Sequence, residues 1–147
     1  FSVHANPLAK SITESFVRQA FAKGDVCDAV LHDGKIVAFS WSAFTPTHDH
    51  DGVYVEFGDA YRYTYFAFTL PAFRGRHLPR LFTPCRDRLC IERGRTHCIS
   101  YISIDNRASM RSFIASGNRR IGFAGYWLCG PIFVPFRTLD ALRFYRP

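Results

Sequence analysis

The sequence predicts an α+β fold: a single mixed, mostly antiparallel sheet flanked by helices. Three observations carry this. A helical apolar period near the amino end gives way to four short stretches with strand character. The second half then alternates helix and strand, the pattern of crossover connections. Apolar residues make up 48% and aromatic residues 16% of 147 residues, enough to bury a core in one domain spanning 1–147.

Leu8, Ile12, Phe16, Val17, Ala20 and Phe21 recur at helical spacing, with Asn6 as a cap, Pro7 in the first turn and Gly24 as a stop. The stretch "VCDAVLHDGKIVAFSWSAF" predicts two strands joined by a two-residue hairpin turn at Asp33-Gly34. "TPTHDHDG" reads as a polar turn and "VYVEFGD" as a short strand. "AYRYTYFAFTLP" is a longer strand. Alternation puts Tyr61, Tyr63, Tyr65, Ala67 and Thr69 on one face, and Arg62, Thr64, Phe66 and Phe68 on the other. Bulk on both faces makes this strand central.

A helix from Leu78 to Arg93 follows, with Leu78, Leu81, Phe82, Cys85 and Leu89 as its apolar stripe and Pro84 as a kink or delay. "THCISYISI" is a strand, and "NRASMRSFIASG" is a helix closed by Gly117. "RRIGFAGYWL" and "IFVPF" are strands, and "RTLDALRFYRP" is a short helix.

The net charge of +7 admits nucleic acid, anionic lipid or a phosphorylated small molecule as partner. No apolar run approaches the roughly 20 residues of a membrane span, so a membrane partner is not expected. The five cysteines are odd in number and form no C-x-x-C, which predicts a reducing, cytoplasmic setting with neither a disulfide framework nor a zinc site. Cys85, Cys90 and Cys98 read as buried thiols. His48 and His50, with Asp49 and Asp51, carry metal-ligating atoms, but alternation along an extended loop puts few on one face, so no metal site is expected. The arginines between 73 and 95 do not form one narrow helical stripe, which makes nucleic acid an unlikely partner.

The most informative stretch is "LPAFRGRHLPRLF" (Leu70 to Phe82), where a strand ends in an Arg-Gly turn and a helix begins. A helix N-terminus exposes unpaired N–H groups and the positive end of the macrodipole, so such a turn can hold a phosphate. Arg74, Arg76 and Arg80 add charge.

A second stretch, "SIDNRASMRSFIASGN", stands beside it. Pro71 and Arg74-Gly75, then Asn106, Ser109, Phe113 and Gly117, fall at the spacings of two motifs of the GNAT acyltransferases (GCN5-related N-acetyltransferases), in the same order. The chain resembles that family from residue 7 to about residue 134. The resemblance implies acetyl-CoA as co-substrate, lying in a V between the strands at 60–70 and 96–104. Phe68, Thr69 and Leu70 would meet the pantetheine amides, and the backbone from Arg74 through Gly75, Arg76, His77 and Leu78 to Pro79 would meet the pyrophosphate. Asn106 and Phe113 would line the pantetheine arm. An amine of the acceptor would attack the thioester directly in a ternary complex.

The sequence departs from the family pattern at several positions, Asn118 in place of the usual Phe after Gly117 among them. His77 and Pro79 replace glycines, so the loop reads as degenerate, and Phe113 replaces a tyrosine that serves as acid. No carboxylate occupies the usual central-strand position near Tyr63. Glu56 is the nearest acidic candidate for a base, with Tyr63 and Tyr65 lining the acceptor pocket or relaying a proton. A non-catalytic acyl-CoA-binding domain is the alternative function. A homodimer is among the open oligomeric states. The short segment ahead of the first helix predicts that the family's first strand is truncated or supplied elsewhere.

Overall fold

The computed structural model describes residues 12–48, 54–129 and 131–146. Two compact units divide them. The first holds residues 12–45 and 58–99, and the second holds 46–48, 54–57, 100–129 and 131–146.

The first unit opens with helix α1, Glu14–Ala22. Thr13 caps it, its hydroxyl accepting from the Phe16 N–H at 3.1 Å. The proposed cap at Asn6 and Pro7 lies outside the described residues. Gly24, at φ +82°, takes the left-handed conformation that stops the helix. Strands β1 (Val26–His32) and β2 (Lys35–Ala43) pair antiparallel around the expected Asp33-Gly34 turn, where φ is +50° and +72°. Two positive φ values in succession are what a type I′ hairpin turn demands.

In the second unit, β3 (Thr47–His48) and β4 (Tyr54–Val55) interrupt this run; Asp49 to Gly52 lie outside the described residues. Back in the first unit, β5 (Tyr61–Thr69), helix α2 (Pro79–Glu92) and β6 (His97–Ser100) complete a four-stranded sheet in the order β1-β2-β5-β6. β5 is central, as expected: Arg62, Tyr63, Thr64 and Tyr65 are all buried.

The alternation along β5 fails at Phe66. Trp41 pairs with Tyr65 and Phe39 with Phe68, so Phe66 and Ala67 together oppose Ser40 in a β-bulge. Phe66 has φ +45° and lies 5.1 Å, ring to ring, from Phe16 of α1 and 5.6 Å from Tyr65. The bulge thus brings Phe66 to the face of Tyr65 rather than the face of Arg62. On that face the Phe16 ring meets Trp41, Tyr65 and Phe66 edge-on, and Ala20 lets the helix approach the sheet.

The opposite face lies under α2 and is polar. Arg62 donates to Ser42 Oγ at 3.3 Å and to Thr64 Oγ1 at 2.6 Å, and Thr64 Oγ1 is 3.3 Å from Cys98 Sγ. Asp28 Oδ2 and Ser40 Oγ are buried with no hydrogen-bond partner among the described residues. This changes which side of α2 faces inward. Leu81 and Cys85 of the expected stripe are exposed, while Thr83, Arg86 and Leu89 are half-buried and Cys90 is buried. The side chain of Phe82 lies outside the description. A sheet face lined by Arg62, Ser42 and Thr64 accepts a polar helix face, so hydrophobic spacing alone misplaces it. Pro84 is accommodated within α2.

The thiols follow the same correction. Cys90 is buried as expected, Cys98 is half-buried and Cys85 is exposed. Burial and the neighbouring Asp28 charge push the Cys27 thiol up to about 11, so it stays protonated at neutral pH.

The second unit also contains helix α3 (Arg107–Ala115), the antiparallel hairpin β7 (Ala124–Cys129) and β8 (Ile132–Arg137), and β9 (Tyr145–Arg146), which pairs with β4. The tail forms a 3₁₀ turn at Leu139–Arg143 before β9, rather than an α-helix. At Gly122 a Cβ would meet Thr138 Oγ1 and Ala141, so close packing accounts for that glycine. No helix among the described residues is long and apolar enough to cross a membrane.

Burial holds the Asp28 carboxyl above the ordinary 3.8, against the opposing pull of Arg86 and Arg62. A raised carboxyl binds its proton more tightly in the folded than in the unfolded chain, so stability falls as pH rises above 3.8 through that window. Asp28→Asn removes this loss. Its melting temperature relative to the parent should rise from about pH 3 to about pH 7, as thermal denaturation would show. A parallel curve would contradict the assignment. In a native-state alkylation read by mass spectrometry, Cys85 and Cys129 react first, while Cys27 and Cys90 are spared until the chain unfolds.

Candidate functional site

The end of β5 and the start of α2 build the candidate site. Leu70 donates its N–H to Val37 O at 2.9 Å, and a 3₁₀ turn, Pro71–Phe73, follows. Arg74 is extended, and its Nε donates back to Thr69 O at 3.3 Å, fastening the turn to the strand end. Gly75 then takes φ +76° and His77 takes φ +54°. Leu78 enters helical geometry and Pro79 is the first residue of α2, where a missing N–H costs nothing within the helix.

His77 therefore adopts the left-handed conformation that glycine would adopt freely. For a residue with a Cβ this costs about 1–2 kcal/mol. The backbone N–H groups of Gly75, Arg76, His77 and Leu78 take no acceptor among the described residues. These are four consecutive donors at a helix N-terminus, the kind of position at which backbone N–H groups hold anions in proteins generally. Around it, the Arg76 guanidinium lies 5.1 Å over the Phe73 ring, and Phe73 lies 5.2 Å from His32 at the end of β1. Arg80 follows in the first turn of α2.

The N–H groups of Thr96 and His97 both donate to Ala60 O at 2.9 Å, so β6 starts beside the start of β5. β6 ends at Ser100, well short of the expected Ile104, while β5 continues to Thr69. On the β2 side, Phe68 and Thr69 pair with Phe39 and Ala38. The bulge at Phe66, the turn at Pro71–Phe73 and the N–H groups from Gly75 to Leu78 thus follow one another along a single stretch of chain.

The remaining candidates are distributed over both units. Tyr63 is 1% exposed and Tyr65 7%, and their rings stack in parallel at 5.8 Å. Glu56 follows β4 in the second unit, its N–H donating to Phe144 O at 2.9 Å. Asp59, its neighbour in sequence, pairs with Arg95. Asn106 caps α3, its side-chain oxygen accepting from the Ser109 N–H at 3.1 Å, and Phe113 is half-buried on that helix.

One polar residue escaped the sequence reading. Asp25 follows the stop at Gly24, and its side chain is fully buried. Its Oδ2 accepts the Tyr65 hydroxyl at 2.6 Å and lies 3.5 Å from Lys23 Nζ, while Oδ1 has no partner among the described residues. A carboxylate just past a helix C-terminus runs against the macrodipole. That placement is the one local signal that could have singled it out.

The sequence matches no family model and no curated protein. Solved structures do match. An acetyltransferase of Trypanosoma brucei shares 17% identity at a TM-score of 0.54, over 72% of this chain and 70% of that one. The aminoglycoside 6'-N-acetyltransferase AAC(6')-IG of Acinetobacter haemolyticus shares 14% identity at a TM-score of 0.61, over 80% and 81%. AAC(6')-Iy, in complex with the bisubstrate analog CoA-S-monomethyl-acetylneamine, shares 15% identity at a TM-score of 0.59, over 75% of each chain. The fold shared with these structures is the mixed, mostly antiparallel sheet with flanking helices of the GNAT acyl-CoA N-acyltransferases.

Proposed function

We propose that this chain is an N-acyltransferase that moves an acyl group, acetyl in the first instance, from acyl-CoA to an amine by direct attack in a ternary complex. The observation that carries this reading is the row of four N–H donors from Gly75 to Leu78, set at the N-terminus of α2 on this fold. The residues present fit the co-substrate. That row suits a pyrophosphate, and Arg76 and Arg80 add positive charge beside it. The loop is degenerate in sequence at His77 and Pro79. Even so, His77 keeps the backbone turn, and Pro79 removes one donor from the helix start.

Phe68, Thr69 and Leu70 would offer the strand edge to the pantetheine amides. Asn106, whose oxygen is occupied by its cap, would offer its NH₂ group, with Phe113 packing alongside. The co-substrate supplies an activated thioester when bound. The protein's part is to orient it along β5 and to accept the amine's proton, a task for which Tyr63 and Tyr65 of the first unit and, separately, Glu56 of the second are the candidates. The exposed thiols of Cys85 and Cys129 suit a reducing cytoplasm. A domain that binds acyl-CoA without turnover is the second reading. Phe113 favours it, having no hydroxyl where family members carry their acid.

Calorimetric titration with acetyl-CoA tests the reading. Saturable one-to-one binding is expected. No binding at high micromolar acetyl-CoA would overturn the assignment, and tight, strongly salt-dependent binding to generic nucleic acid would replace it. Thiol release across a panel of amines then separates transferase from binder. Gly75→Ala offers a sharper probe. No atom lies within 4 Å of the added Cβ, so only the positive φ opposes the substitution. It should cost about 1 kcal/mol of stability in urea denaturation and weaken acetyl-CoA about tenfold by shifting the donors.

A further inference from the structure

We infer that Asp25 is a positioning residue of the proposed transfer, acting through Tyr65 as the final acceptor of the amine's proton. The inference rests on the acyltransferase reading and goes beyond it by naming the carboxylate that the central strand lacks.

Asp25 is 3% exposed, and its side chain is wholly enclosed. Burying a carboxylate costs several kcal/mol unless it is paired and hydrogen-bonded. Here the compensation is one short bond from a tyrosine and a lysine ammonium at 3.5 Å, with Oδ1 left without a partner among the described residues. The arrangement is costly for a purely structural link, because an asparagine would take the same hydrogen bond without a buried charge. The charge therefore calls for a use.

The position of Tyr65 supplies one. It immediately precedes the bulge at Phe66, where β5 departs from regular pairing and continues past the end of β6. This is the part of the strand along which the proposed thioester is laid. Bulges re-aim side chains beside active sites. The hydroxyl is held in one direction by Asp25, and the ring is held by Phe16, Trp41 and Tyr63. Tyr65 takes the proton of a neutral amine on its oxygen while passing its own proton to Asp25 Oδ2. Meanwhile the amine's lone pair makes the C–N bond, the C–S bond breaks and the sulfur leaves with its electron pair. The proton then returns from Asp25 Oδ2 to the Tyr65 oxygen as the Tyr65 hydroxyl gives up a proton to the thiolate.

Asp25→Asn separates this role from a scaffold. The substitution keeps an acceptor for the Tyr65 hydroxyl and removes the charge. The expected result is a melting temperature equal to or above the parent's, unchanged acetyl-CoA affinity by calorimetry, and an unchanged KM for acetyl-CoA. Turnover should fall about 100-fold or more. Tyr65→Phe should lose turnover to a similar degree and add nothing when combined with Asp25→Asn. A folded Asp25→Asn protein with the parent's kcat would overturn the inference, as would a variant that loses stability yet keeps its turnover. If the parent chain binds no acetyl-CoA, the acyltransferase reading fails, and this inference fails with it. If the parent binds and turns over while Asp25→Asn matches it, this inference alone fails.

Discussion

The β5 ladder cannot stay regular past Tyr65, because Phe66 holds a φ of +45° and shares one partner position with Ala67. For a bulky side chain that conformation costs about 1–3 kcal/mol and persists only where packing fixes it. The Phe16 ring edge against Phe66, Tyr65 and Trp41 provides that packing, and Thr13 anchors the helix that carries Phe16. The rest of the candidate site depends on this break. It lets Tyr65 and Phe66 share one face, and beyond it lie the strand edge at Phe68 and Thr69 and the turn into α2.

The shape of that turn rests on backbone more than on side chains. Gly75 supplies one left-handed residue without strain, and His77 supplies a second at a cost. Arg74 is committed to Thr69 O and Arg76 to the Phe73 ring, so both guanidinium groups also shape the loop. The polar layer under α2, with Arg62 between Ser42 and Thr64, gives the helix behind the loop a seat held by hydrogen bonds as well as apolar contact.

Much of this was legible in the sequence because it was local. Asp33-Gly34, Gly24 and Gly117 announced their turns, since each occupies a backbone region that few residues accept. The strand-turn-helix at Leu70 to Phe82 was legible for the same reason. What was hidden depends on partners far along the chain. The bulge at Phe66 follows from packing against Phe16, fifty residues earlier in the sequence. The inward face of α2 follows the polar face of the sheet below it, so hydrophobic period pointed to Leu81 and Cys85 when Arg86 and Cys90 turn inward. Asp25 carried no signal of its own in the sequence, because its partner Tyr65 lies forty residues further on.

We infer that the N–H groups from Gly75 to Leu78 bind the pyrophosphate of acyl-CoA. Backbone amide NMR of the ¹⁵N-labelled protein during an acetyl-CoA titration tests it at those atoms. The account predicts large, saturating downfield proton shifts at Gly75, Arg76, His77 and Leu78, the behaviour of amides that gain a charged acceptor. It also predicts that inorganic pyrophosphate moves the same four resonances in the same direction. Saturating shifts that leave these four amides in place would contradict it.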